Sequence, residues 1–343
     1  MNRLISALAC IIFFLPAVPL QAAEDPGLTK LLAAEAAQFP GKMSIYVKQL
    51  QTGQEAAVAP DQPMDSMSVI KLGILVKAFQ MAEQNGLDLD ARTTLKPTDL
   101  RGGSGVLQYH APGLNLTVRD LLWEMVITSD NTATEAMLAR VGGVEALNRW
   151  YAKSGFEAMQ MRGTVAAYFA KQVRLISPRA QALSDQEINA ALVEQRGNEL
   201  SPAGKALATE QAAPETFLNI CSRFEEAQTW FGSITARAVG RLLEQMQTGE
   251  LVSKAHSAQM MDMLQNQQAG ARRIPMYLDT QYVIAHKTGD FPPCVANDVG
   301  VVYLKSGATV MVFLTNQIRG NYGEAEERIG GIARQIAEYF DGK

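Results

Sequence analysis

Hydrophobic and polar positions follow three regimes along the chain. The first is an uncharged, mostly apolar run from Leu4 to Leu20, preceded by Arg3 and followed by Gln21-Ala22-Ala23. This is the n-region, h-region and small-residue pattern of a secretory signal, with Leu20-Gln21-Ala22 as the cleavage tripeptide. Residues 1–22 are therefore set apart from the fold, and the chain is expected to be exported to the periplasm without a stable membrane anchor. Cys10 follows Ala7-Leu8-Ala9 too early in the run for a lipoprotein box.

The second regime has helical spacing. An apolar helix runs from Val69 to Met81, opened by Ser68 and closed by Asn85-Gly86. In Thr117–Thr128, Val118, Leu121, Leu122 and Met125 fall at i, i+3, i+4 and i+7, which makes one apolar stripe. A further helix spans about Thr132 to Val141 and stops at Gly142-Gly143, and another covers Thr235–Thr248. The third regime is β-rich: Met43–Leu50 near the start, then Tyr282–Lys287, Val299–Leu304 and Thr309–Leu314. Lys305-Ser306-Gly307 joins the last two as a hairpin, and Glu324–Phe340 closes the chain as an amphipathic helix.

Strands at both ends with helices between them predict an α/β (α+β) fold. An antiparallel sheet is built from both chain ends and flanked by helices, with an all-helical region inserted. Residues 23–343 then form a single domain, with the sheet part at about 23–66 and 250–343 and the helical part at about 67–249. Residues 170–214 stand out as rich in Ala, Gln and Glu; they read as a surface insertion, partly helical, with a capping box at Ser184–Glu187.

Composition narrows the function classes. Net charge is −4 with no Lys/Arg cluster, which argues against nucleic acid as a partner. The histidines, His110, His256 and His286, are scattered, and no C-x-x-C exists, so a zinc hydrolase is not expected. No cofactor is implied.

The chemistry lies in three short motifs in order: Ser68-Val69-Ile70-Lys71, Ser129-Asp130-Asn131 and Lys287-Thr288-Gly289. Ser68 and Lys71, three apart at a helix start, project from one face. A lysine there can take the serine proton if burial lowers its pKa. Ser129 supplies a second hydroxyl for proton relay, and Asn131 both a donor and an acceptor. Asp130 reads as a cap for the next helix. Lys287 and Thr288 suit a substrate carboxylate, and Gly289 lets backbone approach a ligand. His286 should face away from Lys287 and pack.

The ordered triplet is the signature of class A β-lactamases and penicillin-binding proteins. The chain resembles a class A serine β-lactamase over most of its length, also in Thr117-Val118-Arg119-Asp120-Leu121 and Asn131-Thr132-Ala133-Thr134. The resemblance implies Ser68 as the acylated nucleophile, Lys71 as its proton partner and Ser129 as the relay. Lys287, Asn131 and Thr288 would bind substrate, and the N–H groups of Ser68 and Asp290 would form the oxyanion hole.

The family also carries a glutamate in E-x-x-L-N, about 36 residues after S-D-N, that activates the deacylating water. At that distance this chain has Gly163-Thr164-Val165-Ala166, without an acid. Glu215-Thr216-Phe217-Leu218-Asn219 reproduces the motif further on, which makes Glu215 the candidate, with Glu225 or Glu226 next. Where many relatives place an arginine on the strand after K-T-G, this chain has Asn297-Asp298-Val299-Gly300.

The same resemblance makes the segments of Cys221 and Cys294 neighbours, so a disulfide and two buried free thiols both stand open. The expected substrate is a small β-lactam or a peptidoglycan-like molecule, and the protein is expected to be a monomer. Three functions follow: a serine β-lactamase, a penicillin-binding serine hydrolase or D-Ala-D-Ala peptidase with slow deacylation, and a catalytically silent wall-binding module.

Overall fold

The computed structural model describes residues 23–111, 113–194, 205 and 219–342. Both ends of the chain meet in one six-stranded sheet. The N-terminal part supplies β1 (Ala23–Glu24), β2 (Lys42–Gln49) and β3 (Gln54–Val58). Four short strands follow: β4 (Met64–Asp65), β5 (Arg92–Thr94), β6 (Asn115–Thr117) and β7 (Gln160–Met161), and then β8 (Gly232–Ile234). The C-terminal part supplies β9 (Val283–Phe291), β10 (Val295–Leu304) and β11 (Gly307–Asn316), and the sheet order is β1-β3-β2-β11-β10-β9. The junction of the two ends is the antiparallel pair β2–β11, in register Ile45↔Phe313.

Both faces of this sheet are covered, which explains why the C-terminal strands read as near-continuous apolar runs. Along β11, Val310, Val312 and Leu314 join the cluster beneath the helical region, while Met311 and Phe313 join the opposite one. That second cluster includes Ile329, Ile332 and Ile336 of the C-terminal helix Tyr322–Asp341. Each such side chain contributes about 1.5–3 kcal/mol on burial, far more than intrinsic helix propensity does, so packing fixes this helix.

The helical region begins with a departure from the simple reading. Ser68 does not sit in an α-helix. It lies in a 3-10 turn, Met67–Ile70, and α2 (Lys71–Glu83) begins only at the lysine. The reason is backbone conformation: Met67 has φ of 41°, which no α-helix accommodates. The next helices follow the sequence closely. In α3 (Val118–Ile127), Thr117 Oγ1 accepts from Asp120 N–H at 3.0 Å and Asp120 Oδ2 accepts from Thr117 N–H at 2.9 Å, a reciprocal cap. α4 (Asn131–Arg140) is capped by Asp130, whose Oδ1 accepts from Ala133 N–H at 2.9 Å.

Of the stretch read as a surface insertion, residues 170–194 and 205 are described. It is partly helical, with α6 (Val165–Ile176) and α7 (Asp185–Glu194), and the capping box is present, Ser184 N–H donating to Glu187 Oε2 at 2.8 Å. Just before the stretch, Val165 and Tyr168 of α6 pack into the main core, while Ala170, Ala180 and Ile188 within it form a small core of their own. Few large apolar residues are needed because the helices are short and share that core.

Cys221 and Cys294 form a disulfide with Cα atoms 5.2 Å apart. It ties the helix Ile220–Glu226 to the β9–β10 turn, where Phe224 also stacks on Phe291 at 4.8 Å. The bond spans 73 residues, for which chain entropy suggests about 4 kcal/mol. Replacing both cysteines by alanine should lower the unfolding free energy by that order in urea titration under non-reducing conditions. Unchanged stability would contradict the assignment.

Candidate active site

Three elements bring the motifs together. The first is the 3-10 turn, where Ser68 is half-buried. Side chains at i and i+3 eclipse in such a turn, so Ser68 and Lys71 share a face. The second is the α3–α4 connection. Ser129 there has φ of 56°, and this left-handed residue turns both its carbonyl and its hydroxyl toward Lys71. The third is β9, which carries Lys287, Thr288, Gly289 and Asp290.

Two ammonium groups converge on one hydroxyl. Lys71 Nζ donates to Ser129 O at 2.6 Å, to Ser129 Oγ at 3.2 Å and to Asn131 Oδ1 at 3.0 Å. Lys287 Nζ donates to the same Ser129 Oγ at 2.9 Å and to Thr288 O at 3.0 Å. Both lysines are fully buried. Burial, and then the charge of Lys287, hold Lys71 well below the ordinary lysine value. Burial also lowers Lys287, to about 8, against the opposing pull of Asp290 and Asp298. Lys71 therefore gives up its proton more easily than an ordinary lysine, which suits it to take part in proton transfer. Lys287 keeps much of its charge at neutral pH, suited to an anion.

The supporting contacts are close. Asn131 Nδ2 donates to Gly102 O at 2.9 Å and its N–H to Ser104 O at 3.0 Å, so the loop 102–105 closes over the S-D-N turn. Gly105 permits that closure, since a Cβ there would lie 2.1 Å from Asp130 Oδ2. Gly289 does the same for the nucleophile turn, where a Cβ would lie 2.8 Å from Ser66 O. Thr288 Oγ1 is buried with no hydrogen-bond partner, an unused donor and acceptor beside Lys287. His286 faces away from Lys287, as alternation requires, with its Nδ1 2.8 Å from Asp298 Oδ1.

Glu215 lies outside the described residues. Glu225 is engaged elsewhere: it takes Lys42 Nζ at 2.9 Å and Trp230 Nε1 at 2.9 Å. At the expected distance after S-D-N, Val165 is buried and its N–H donates to Glu135 Oε2 at 2.8 Å. Among the described residues no group of three or more His, Cys, Asp or Glu side chains is placed to hold a metal ion, and no helix is long and apolar enough to cross a membrane.

Two residues escaped the sequence reading. Arg273 is almost fully buried and reaches the end of β9 from the preceding 3-10 turn, Ile274–Tyr277. It donates to Asn297 O at 2.7 Å and to Glu326 Oε1 at 2.9 Å, and pairs with Asp290. So an arginine does support this strand, though not from the strand after it. Asn297 on β10 donates to Asp65 O at 2.8 Å and accepts from Thr315 N–H at 2.8 Å, anchoring the approach to Ser68. Neither residue sits in a motif, and only the folded sheet reveals them.

Residues 27–340 match the model of the β-lactamase enzyme family. The chain belongs to that family. It is 21% identical to β-lactamase CTX-M-25 of Escherichia coli over 97% of this chain and 95% of that one. It is 29% identical to β-lactamase L2 of Stenotrophomonas maltophilia, over only 34% of this chain and 38% of that one. Among solved structures, an ancestral class A β-lactamase superposes with a TM-score of 0.69 at 21% identity, covering 91% of this chain and 100% of that one. PBP-A superposes with a TM-score of 0.68 at 20% identity, covering 94% and 98%. The expected fold class is thus the observed one.

The shared hydroxyl gives a direct test. Ser129→Gly removes it while suiting the left-handed backbone. The variant should stay folded by circular dichroism, yet acylation by a penicillin should slow by about 10²–10⁴-fold. An unchanged rate would remove Ser129 from the reaction.

Proposed function

We propose that the protein is an exported serine β-lactamase that works through an acyl-enzyme on Ser68. The observation that carries this reading is the convergence of Lys71 and Lys287 on the Ser129 hydroxyl, one turn from Ser68. Ser68 Oγ attacks the lactam carbonyl carbon and neutral Lys71 takes its proton. The oxyanion forms against the N–H groups of Ser68 and Asp290. The C–N bond then breaks, and Ser129 passes a proton to the leaving nitrogen. Lys287 supplies the positive charge for the substrate carboxylate, and Asn131 meets its amide. Water attack on the ester completes the cycle, with Glu215 as the base.

A second reading has its own observation. Val165, held by Glu135, stands where the sequence spacing calls for the deacylating acid. An enzyme without a carboxylate there takes up a β-lactam quickly and releases it slowly. PBP-A, whose fold is similar, has been captured in one variant as an acyl-enzyme with penicillin G. The two readings share Ser68 and divide at Glu215.

Mass spectrometry with penicillin G over time tests both. The wild type should gain one penicilloyl adduct and lose it on turnover. Ser68→Ala should gain none; a covalent adduct on that variant would sink the nucleophile assignment. Glu215→Ala should trap the adduct, with release slowed by about 10²–10⁴-fold. A wild-type adduct that persists as long as the variant's would decide for the slow-release reading.

A further inference from the structure

The acylation chemistry gives Asp65 no task, yet this buried residue lies three positions before Ser68 with its Oδ1, N–H and C=O all engaged. Its Oδ1 accepts from Met67 N–H at 3.2 Å and from Phe231 N–H at 3.1 Å. Its own N–H donates to Asn316 Oδ1 at 3.2 Å, and its C=O accepts from Asn297 Nδ2 at 2.8 Å. One residue thereby ties the nucleophile turn to β10, to the end of β11 and to the lead-in of β8. The turn needs holding: Met67 is a non-glycine residue at φ of 41°, a conformation that costs on the order of 1–3 kcal/mol. The contact from Asp65 Oδ1 to the N–H two residues on is an Asx turn, which stabilises that bend.

We propose that Asp65 is a positioning residue for acylation, whose carboxyl holds the Met67 bend so that the Ser68 hydroxyl and the Ser68 N–H keep their aim. This rests on the reading of Ser68 as the nucleophile. The groups around Asp65 are few. Arg162 is the nearby cation, stacked on Trp230 at 5.0 Å. Tyr168 of α6 and Glu225 of the helix Ile220–Glu226 line the same small cavity, with Glu225 already paired to Lys42. Asn297, Asn316 and Gln172 are neutral.

Burial dominates and pushes the Asp65 carboxyl from 3.8 to about 7, opposed by N–H groups of Met67, Gly232 and Phe231 and by Arg162. Both protonation forms are then present near neutral pH. The ionised form is the stronger hydrogen-bond acceptor and grips the bend better. The same shift sets the sign for stability. The unfolded chain loses this proton first, so stability falls as pH rises through the window from 3.8 to about 7.

The test is stopped-flow acylation by nitrocefin, with thermal unfolding, at about pH 5.5 and about pH 8. Asp65→Asn keeps an acceptor oxygen and mimics the protonated acid. Its acylation rate should match the wild type at the lower pH and fall about threefold or more behind at the higher pH. There it should also melt above the wild type, because it cannot ionise. A variant slower yet more stable is not what a merely structural residue gives. Asp65→Ala should acylate about 10–100-fold more slowly per folded molecule at both pH values, with non-covalent binding unchanged. Should Asp65→Ala not fold, the pH dependence of the Asp65→Asn ratio decides alone. A ratio that stays flat with pH, in a wild type that does acylate, overturns the role of Asp65. A wild type that never acylates overturns the nucleophile reading and this role with it.

Discussion

Burying two ammonium groups against one hydroxyl is the constraint on which the site depends. An ammonium removed from water costs several kcal/mol unless something compensates it. Lys71 receives only neutral acceptors in direct contact, two from Ser129 and one from Asn131. Burial therefore holds its pKa well below the ordinary lysine value. Lys287 sits nearer the field of Asp290 and Asp298 and keeps more of its own; its fall from 10.5 to about 8 corresponds to about 3 kcal/mol. A lysine that loses its proton readily beside a second lysine amine suits proton transfer near a serine. The surrounding structure follows from holding them there: Ser129 in the left-handed region, Asp130 capping α4, and α2 starting at the lysine.

The second support is mechanical. The Ser68 turn is strained at Met67, whose φ is 41°. It is clamped from the sheet side by Asn297 and by the close approach of Gly289, and from the helical side by the pairing of β4 with β8. Arg273 in turn fixes the ends of β9 and β10, binding Asp290, Glu326 and the Asn297 carbonyl. The disulfide holds the helix Ile220–Glu226 against the turn that joins those same strands. Hydrogen-bonded strands thus carry Lys287 and Thr288, and a braced turn carries Ser68.

Much of this was legible in the sequence because it is local. The stripe of α3, the cap at Thr117, the hairpin at Lys305-Ser306 and the alternation that turns His286 from Lys287 are all decided within a few residues. So were the site motifs, whose residues meet as their order implied. What sequence could not supply was long-range. Arg273 and Asn297 matter through partners many positions away, and their neighbours show no pattern. Helices α1 (Pro26–Ala37) and α5 (Gly143–Lys153) were passed over; each buries only two residues, Leu28 and Leu32 in the first and Leu147 and Tyr151 in the second. The 3-10 turn at Ser68 was read as α-helix because periodicity does not register one left-handed backbone angle at Met67.

The central claim is that burial beside Lys287 makes Lys71 lose its proton far more easily than an ordinary lysine. It is tested most directly by NMR titration of lysine side chains labelled at Cε, with Lys71→Arg used to assign the signal. The account predicts that the Lys71 resonance titrates well below the ordinary lysine value of 10.5. A Lys71 signal that titrates at the ordinary value would contradict it.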